Sequence, residues 1–75
     1  MKFGVMTDQE FLKSIGKRIA SIRKGMGYSQ TELGGLIDME KPNLSSIENG
    51  RQNPTSLTLK KIADALEVEV VEFFK

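Results

Sequence analysis

Neither cysteine nor histidine occurs in this chain. Disulfides, the usual zinc clusters and histidine-based acid/base or triad chemistry are therefore excluded, and no set of catalytic side chains converges in the sequence. No enzyme activity, metal or cofactor is expected. No apolar run approaches the ~18 residues needed to cross a bilayer. The opening Met1-Lys2-Phe3-Gly4-Val5-Met6 is too short for a signal peptide, because acidic Asp8 and Glu10 follow it directly. A cytoplasmic location without membrane contact is expected. An excess of charge of either sign is nearly absent, since 11 basic and 10 acidic side chains leave a net charge of only +1. Its placement is uneven: residues 1–35 carry six basic and three acidic groups, and residues 36–75 carry five basic and seven acidic. A polarised small domain can offer phosphate one face despite a near-neutral total. What remains is 39% apolar and 7% aromatic residues over 75 positions, enough for one compact core. The chain reads as a single domain over residues 1–75, with its core at 8–74.

The pattern is helical throughout. Thr7-Asp8-Gln9-Glu10 has the spacing of a capping box, and Phe11, Ile15, Ile19 and Ile22 recur at helical spacing after it. Helix 1 is predicted from Asp8 to Lys24, ended by Gly25-Met26-Gly27, with Gly27 suited to a left-handed position. Tyr28 and Leu33 flank a second capping box, Ser29-Gln30-Thr31-Glu32, at the spacing of a hydrophobic staple, and helix 2 is predicted over Gln30 to Ile37. Gly34 and Gly35 inside it each cost up to about 1 kcal/mol against alanine. That cost is understandable at Gly34 if another helix passes close by. Asp38-Met39-Glu40 makes a turn, and Lys41-Pro42 begins helix 3, where Leu44 and Ile47 face inward. After the polar loop Gly50-Arg51-Gln52-Asn53-Pro54, Thr55 caps helix 4, with Leu59, Ile62, Ala63 and Leu66 buried and Lys60, Lys61 and Asp64 outside. Val68 to Phe74 is read as a final short helix. Adjacent side chains on a helix do not face each other, so one of Phe73 and Phe74 completes the core while the other meets a partner subunit. Both are dimer candidates, against the alternative that both tuck onto helix 1.

Two short amphipathic helices joined by a tight turn between Ser29 and Gly50 have the shape of a helix-turn-helix, and a helix fits the major groove, where each base pair shows a distinct donor and acceptor pattern. The outward residues of helix 3 include Lys41, Asn43, Ser45 or Ser46 and Asn49, all able to donate to base edges or phosphates. Lys41 and Ser46 are the main base-reading candidates, Ser45 is a third, and the Pro42 ring can press on a thymine methyl. Gln30 lies at the amino end of helix 2, where backbone amides favour a phosphate. Arg51 and Asn53 follow helix 3 in a loop able to meet the neighbouring backbone. With Asn43 and Asn49 they form the phosphate-contacting set, carrying affinity but little sequence information.

The runs Ile19-x-x-x-Arg23-x-x-x-Gly27-x-Ser29-Gln30-x-Glu32-Leu33, Leu44-Ser45-x-Ile47-Glu48-Asn49-Gly50, Asn53-Pro54 and Leu59-x-x-Ile62-Ala63-x-Ala65-Leu66 give residues 15–73 a resemblance to the helix-turn-helix domain of the Cro and phage-repressor family, also called the xenobiotic-response-element type. The resemblance implies an all-α, compact five-helix lambda-repressor-like fold, with the motif formed by helices 2 and 3, and a symmetric homodimer on palindromic double-stranded DNA. It also implies that Arg23 pairs with Glu48, that Gln30 touches phosphate, and that Asn49 contributes to backbone binding. Glu48 is an odd residue to present to DNA, and a paired Arg23 would neutralise it. Breaking one partner of such a pair costs a few kcal/mol. Two departures stand out. Asp38 occupies a turn position where the family usually has glycine, and aspartate adopts the left-handed conformation at modest cost. Glu40 replaces the usual serine cap of helix 3, and Pro42 disfavours a helical Lys41, so the helix is expected to start one residue later, with Lys41 as its cap.

These features point to a sequence-specific DNA-binding transcriptional regulator, expected to be a dimeric repressor because a chain of this length has no sensor domain and acts most simply by occluding a promoter. The alternatives are a controller protein of a restriction-modification system, which a lone helix-turn-helix domain ending in two phenylalanines resembles, and an antitoxin-like module that covers a protein partner with helices 4 and 5 while also binding DNA.

Overall fold

Residues 5–75 are described by the computed structural model; the first four residues, part of the opening segment discussed as a signal peptide, lie outside them. The chain forms four α-helices, α1 (Asp8–Gly25), α2 (Gln30–Leu36), α3 (Lys41–Glu48) and α4 (Ser56–Leu66), and then a 3₁₀ helix at Val70–Phe74. No strand occurs among the described residues.

Both capping boxes form. The Thr7 hydroxyl accepts from the Glu10 amide at 3.1 Å while the Glu10 carboxylate accepts from the Thr7 amide at 2.8 Å. Ser29 and Glu32 repeat the exchange at 3.0 and 2.8 Å. Each box satisfies two amides that a helix start leaves without partners. At the other end of α1, Gly27 takes φ +84°, which lets the Tyr28 amide reach the Arg23 carbonyl at 3.1 Å and the Gly27 amide reach that of Lys24 at 3.0 Å. This six-to-one closure stops the helix and aims the chain into α2.

The turn between α2 and α3 is closed by Asp38 at φ +56°, which brings the Met39 amide to the Gly34 carbonyl at 2.8 Å. A side chain at Gly34 would strike the Met39 carbonyl. The close neighbour of Gly34 is thus the backbone of the turn, not a crossing helix. α3 begins at Lys41 with Glu40 in the cap position, so Lys41 is helical and does not cap. The steric preference of a pre-proline residue for extended backbone is overridden at Lys41, and the proline itself costs α3 no hydrogen bond, because amides of a first turn have no partner within the helix. Glu40 makes no side-chain capping bond.

The helices enclose Ile19, Leu33, Leu44, Ile47, Ile62, Leu66 and Phe73, all fully buried. α1 packs on α3 and the 3₁₀ helix, and α2 packs on α3 and α4. Two expectations are corrected here. The last element is a 3₁₀ helix from Val70, not a fifth α-helix from Val68. Left-handed Glu67 ends α4, and five residues are too few to repay α-helix nucleation. Phe73 is sealed in the core and is no dimer contact, whereas Phe74 remains half-exposed beside Phe11, their ring centroids 6.2 Å apart. With three residues per turn, neighbours on a 3₁₀ helix point about 120° apart, which separates the two rings. Phe11 also lies outside the stripe formed by Ile15 and Ile19, in the first turn of α1.

Candidate nucleic-acid interface

α3 is held by Leu44, Ile47 and Glu48, all buried, and this leaves Lys41, Pro42 and Asn43 exposed at its amino end and Ser45 and Ser46 half-buried behind them. Two glycines allow α1 to approach the far end of α3 at backbone contact. A side chain at Gly16 would collide with the Ile47 and Glu48 carbonyls, and one at Gly50, which sits at φ +72°, would come within 2.7 Å of the Lys13 backbone nitrogen. Gly16 is a structural determinant that the sequence reading did not single out. Its signal was available: glycine in the middle of a well-capped helix carries a cost that only a close approach explains.

The same seam holds the ion pair of Arg23 and Glu48. Arg23 Nε donates to Glu48 Oε2 at 2.7 Å and its second terminal nitrogen donates to Oε1 at 2.9 Å, the two-pronged geometry of a guanidinium on a carboxylate. The side chains are only 7% and 5% exposed. The remaining Arg23 nitrogen donates to the Tyr28 carbonyl at 2.8 Å, and Gln30 Nε2 donates to Glu48 Oε1 at 2.9 Å. Among the described residues, no buried side-chain nitrogen or oxygen lacks a partner. Buried charge is tolerable only with such complete pairing. The network ties α1, the start of α2 and the end of α3 into one body.

Gln30 is half-buried, and since an amide nitrogen has two hydrogens, one remains for another acceptor after the bond to Glu48. Asn49 is exposed, and its side chain donates to the Ser45 carbonyl at 2.8 Å, closing the last turn of α3. Arg51 and Asn53 are exposed in the loop that follows. The structure therefore gathers Lys41, Pro42, Asn43, Ser45 and Ser46 on one short helix, with Asn49 capping its carboxyl end. Gln30 joins them through Glu48. Beside this network lies a groove of about 400 Å³ lined by Lys13, Lys17, Lys24, Gln30 and Asn49, with Arg23 and Glu48 also in its wall. The three lysines had not been recognised from the sequence, since an exposed lysine on an amphipathic helix is indistinguishable there from solvated surface.

Among the described residues, no group of three or more histidine, cysteine, aspartate or glutamate side chains is placed to hold a metal, and no helix is long and apolar enough to cross a membrane.

Comparison with known proteins agrees with this geometry. The chain is 40% identical over 60 residues to an uncharacterized HTH-type transcriptional regulator, y4dJ, of Sinorhizobium fredii, covering 80% of this chain and 78% of that protein. It is 44% identical over 57 residues to the HTH-type transcriptional regulator SinR of Bacillus subtilis, covering 75% of this chain but only 51% of the relative. Among solved structures, the restriction-modification controller protein C.AhdI from Aeromonas hydrophila superposes with a TM-score of 0.81 at 30% identity, covering 84% of this chain and 96% of that one. The family model described as helix-turn-helix, HTH_3, matches residues 19–73. The match takes in the end of α1, the motif of α2 and α3, the Arg23–Glu48 seam and the buried stripe of α4, so the chain belongs to the HTH_3 helix-turn-helix family, of the Cro and phage-repressor type.

Proposed function

We propose that this protein is a sequence-specific regulator of transcription that binds double-stranded DNA as a homodimer, with α3 in the major groove. One observation carries the reading: from Lys41 to Glu48 the only carboxylate is Glu48, and it is buried against Arg23. The outward face of α3 is thereby polar, without negative charge, and fixed in direction. With its side chains an α-helix is about 10–12 Å across, which fits the ~12 Å width of the groove. Lys41, Pro42, Ser45 and Ser46 face base edges in this arrangement, and Gln30, Asn43, Asn49, Arg51 and Asn53 meet phosphates. Half-exposed Phe74 and exposed Val71 on the 3₁₀ helix supply an apolar surface suited to self-association. Repression by occlusion of a promoter is the simplest action for such a domain.

Selection of binding sites from a random duplex library at about 150 mM salt, near physiological screening, tests the reading. An enriched palindrome with half-sites about one helical turn apart is the expected outcome. Uniform weak binding to every duplex would refute sequence-specific recognition.

A narrower second reading, control of a restriction-modification system, is favoured by the match to nearly the whole length of C.AhdI. Genes for a methyltransferase and a nuclease adjacent to this one would support it. Their absence from the surrounding genome would count against it.

A further inference from the structure

We propose that the α1 groove is a second anion site in which Lys13 and Lys17 grip a phosphate of the DNA backbone, extending the interface from α2 and α3 onto α1. The proposal rests on the DNA-binding reading above and adds residues to it. Lys13, Lys17, Ala20 and Lys24 are spaced by four, three and four residues and so lie along one face of α1. All four line the groove, and the small side chain of Ala20 leaves it open between the lysines.

The charge arrangement is what distinguishes this face from ordinary solvated surface. Arg18, Arg23, Lys60 and Lys75 each have a carboxylate partner within 3.6 Å. Among the described residues, Lys13, Lys17 and Lys24 have none; Lys41, Arg51 and Lys61 also lack one, but the first three are gathered in a single groove. Lys13 and Lys17 stand four apart on a helix, where like charges repel, and the only carboxylate lining the groove is Glu48, already neutralised by Arg23. The groove thus holds three positive charges with no internal relief, and a phosphodiester supplies it. The site is also continuous with the proposed interface, because Gln30 and Asn49 form part of its lining. A backbone strand that meets those two side chains passes the lysines. Close contact between Gly50 and the Lys13 backbone fixes the first half of α1 against the end of α3, so the lysines keep their place relative to the recognition helix.

The test compares the salt dependence of binding to the selected palindrome for wild type, the double variant K13Q/K17Q, and K60Q/K61Q as a charge-matched control on α4. All substituted side chains are exposed, and equal thermal melts establish equal folding. Each phosphate contact contributes about 0.9 to the slope of log affinity against log salt, so losing one phosphate per protomer, roughly two per dimer, lowers its magnitude by about 1.8. Between about 50 and 200 mM salt, the affinity of K13Q/K17Q is then expected to fall by about tenfold less than that of wild type, with K60Q/K61Q following wild type. Unchanged slope in K13Q/K17Q, or an equal loss in K60Q/K61Q, overturns the α1 site while leaving DNA binding by α3 intact. Absence of wild-type binding to any duplex overturns both readings.

Discussion

Replacing Gly16 by alanine is the most direct probe of how α3 is held. In an ordinary helix interior, alanine is favoured over glycine by up to about 1 kcal/mol. At Gly16 the added carbon meets the carbonyl oxygens of Ile47 and Glu48, which are backbone atoms and cannot rotate aside. The last turn of α3 has to move away from α1. Overpacking of this kind costs about 1–3 kcal/mol, and rigid partners place this site at the upper end. After the propensity gain is subtracted, G16A is expected to lose about 1–2 kcal/mol in urea unfolding. For a domain of this size, that corresponds to a fall in melting temperature of roughly 5–15 °C. G35A provides the comparison within the same molecule, because a carbon added at Gly35 meets nothing within 4 Å. It is expected to gain about 0.5–1 kcal/mol. The same displacement pulls Glu48 from Arg23 and tilts α3, so G16A also loses affinity for the palindrome while G35A keeps it. A G16A protein as stable as G35A, or more stable than wild type, would refute the argument that backbone contact between α1 and α3 sets the position of the recognition helix.

Four further outcomes follow from the same structure. Arg23→Met leaves the Glu48 carboxylate buried without its cation and is expected to cost about 3–5 kcal/mol, most of it recovered in R23M/E48M; chemical denaturation of the pair of variants checks this, and a double variant as unstable as the single one would contradict it. Glu40→Ser supplies the capping oxygen that α3 lacks and is expected to raise stability by about 0.5–1 kcal/mol, with a lowered melting temperature as the contrary result. Phe73→Ala is expected to cost about 3–5 kcal/mol, a large share of the stability of a small domain, while Phe74→Ala leaves melting of the fold nearly unchanged and weakens self-association in sedimentation. The Glu32 carboxyl is held below its ordinary range by the Ser29 amide and then by the Ser29 hydroxyl, so the stabilisation is fully present above the unfolded-state value and is lost as pH falls through the lower folded-state one. The Ser29 amide resonance should therefore titrate with a midpoint below that of an unperturbed glutamate, and a midpoint above it would contradict the assigned bond.

How much of this was legible in the sequence depended on whether the signal was local. The capping boxes at Thr7 and Ser29, the left-handed turn at Gly27 and the buried stripe of α4 each lie within a few residues of their own cause, so spacing alone located them. The contacts that orient α3 are not local. Gly16 meets residues 47 and 48, and Gly50 meets Lys13, partners that no window of sequence brings together. The Arg23–Glu48 pair was implied by family resemblance and not by spacing, and its link to Gln30 required coordinates. The end of the chain misled for a different reason. Val68 to Phe74 reads as one short helix, but left-handed Glu67 ends α4 and the last element is a 3₁₀ helix from Val70. The sequence separates Phe73 from Phe74 without deciding which enters the core, and it is Phe73 that does.

The non-local contacts share one consequence. α3 has eight residues and no side-chain cap at its amino end, so its own hydrogen bonds do not fix its direction in the molecule. Direction comes from outside, through Leu44 and Ile47 in the core, the carbonyls of Ile47 and Glu48 lying on Gly16, and the guanidinium of Arg23 on Glu48. Apolar packing alone tolerates sliding, because methyl groups of similar size substitute for one another with small loss. A two-pronged ion pair does not, since a displacement of 1 Å leaves a buried carboxylate short of its donors. Placing that pair at the carboxyl end of α3, with Gln30 drawn into it, makes the angle of α3 and the placement of the Gln30 amide depend on the same carboxylate. Under the proposed function, base reading by Lys41 and Ser46 would require that angle, and backbone contact by Gln30 would set the register in which they read. Affinity and specificity are therefore expected to fail together when Glu48 or Arg23 is changed, whereas substitutions at Lys41 or Ser46 alter sequence preference on a fold that keeps its stability.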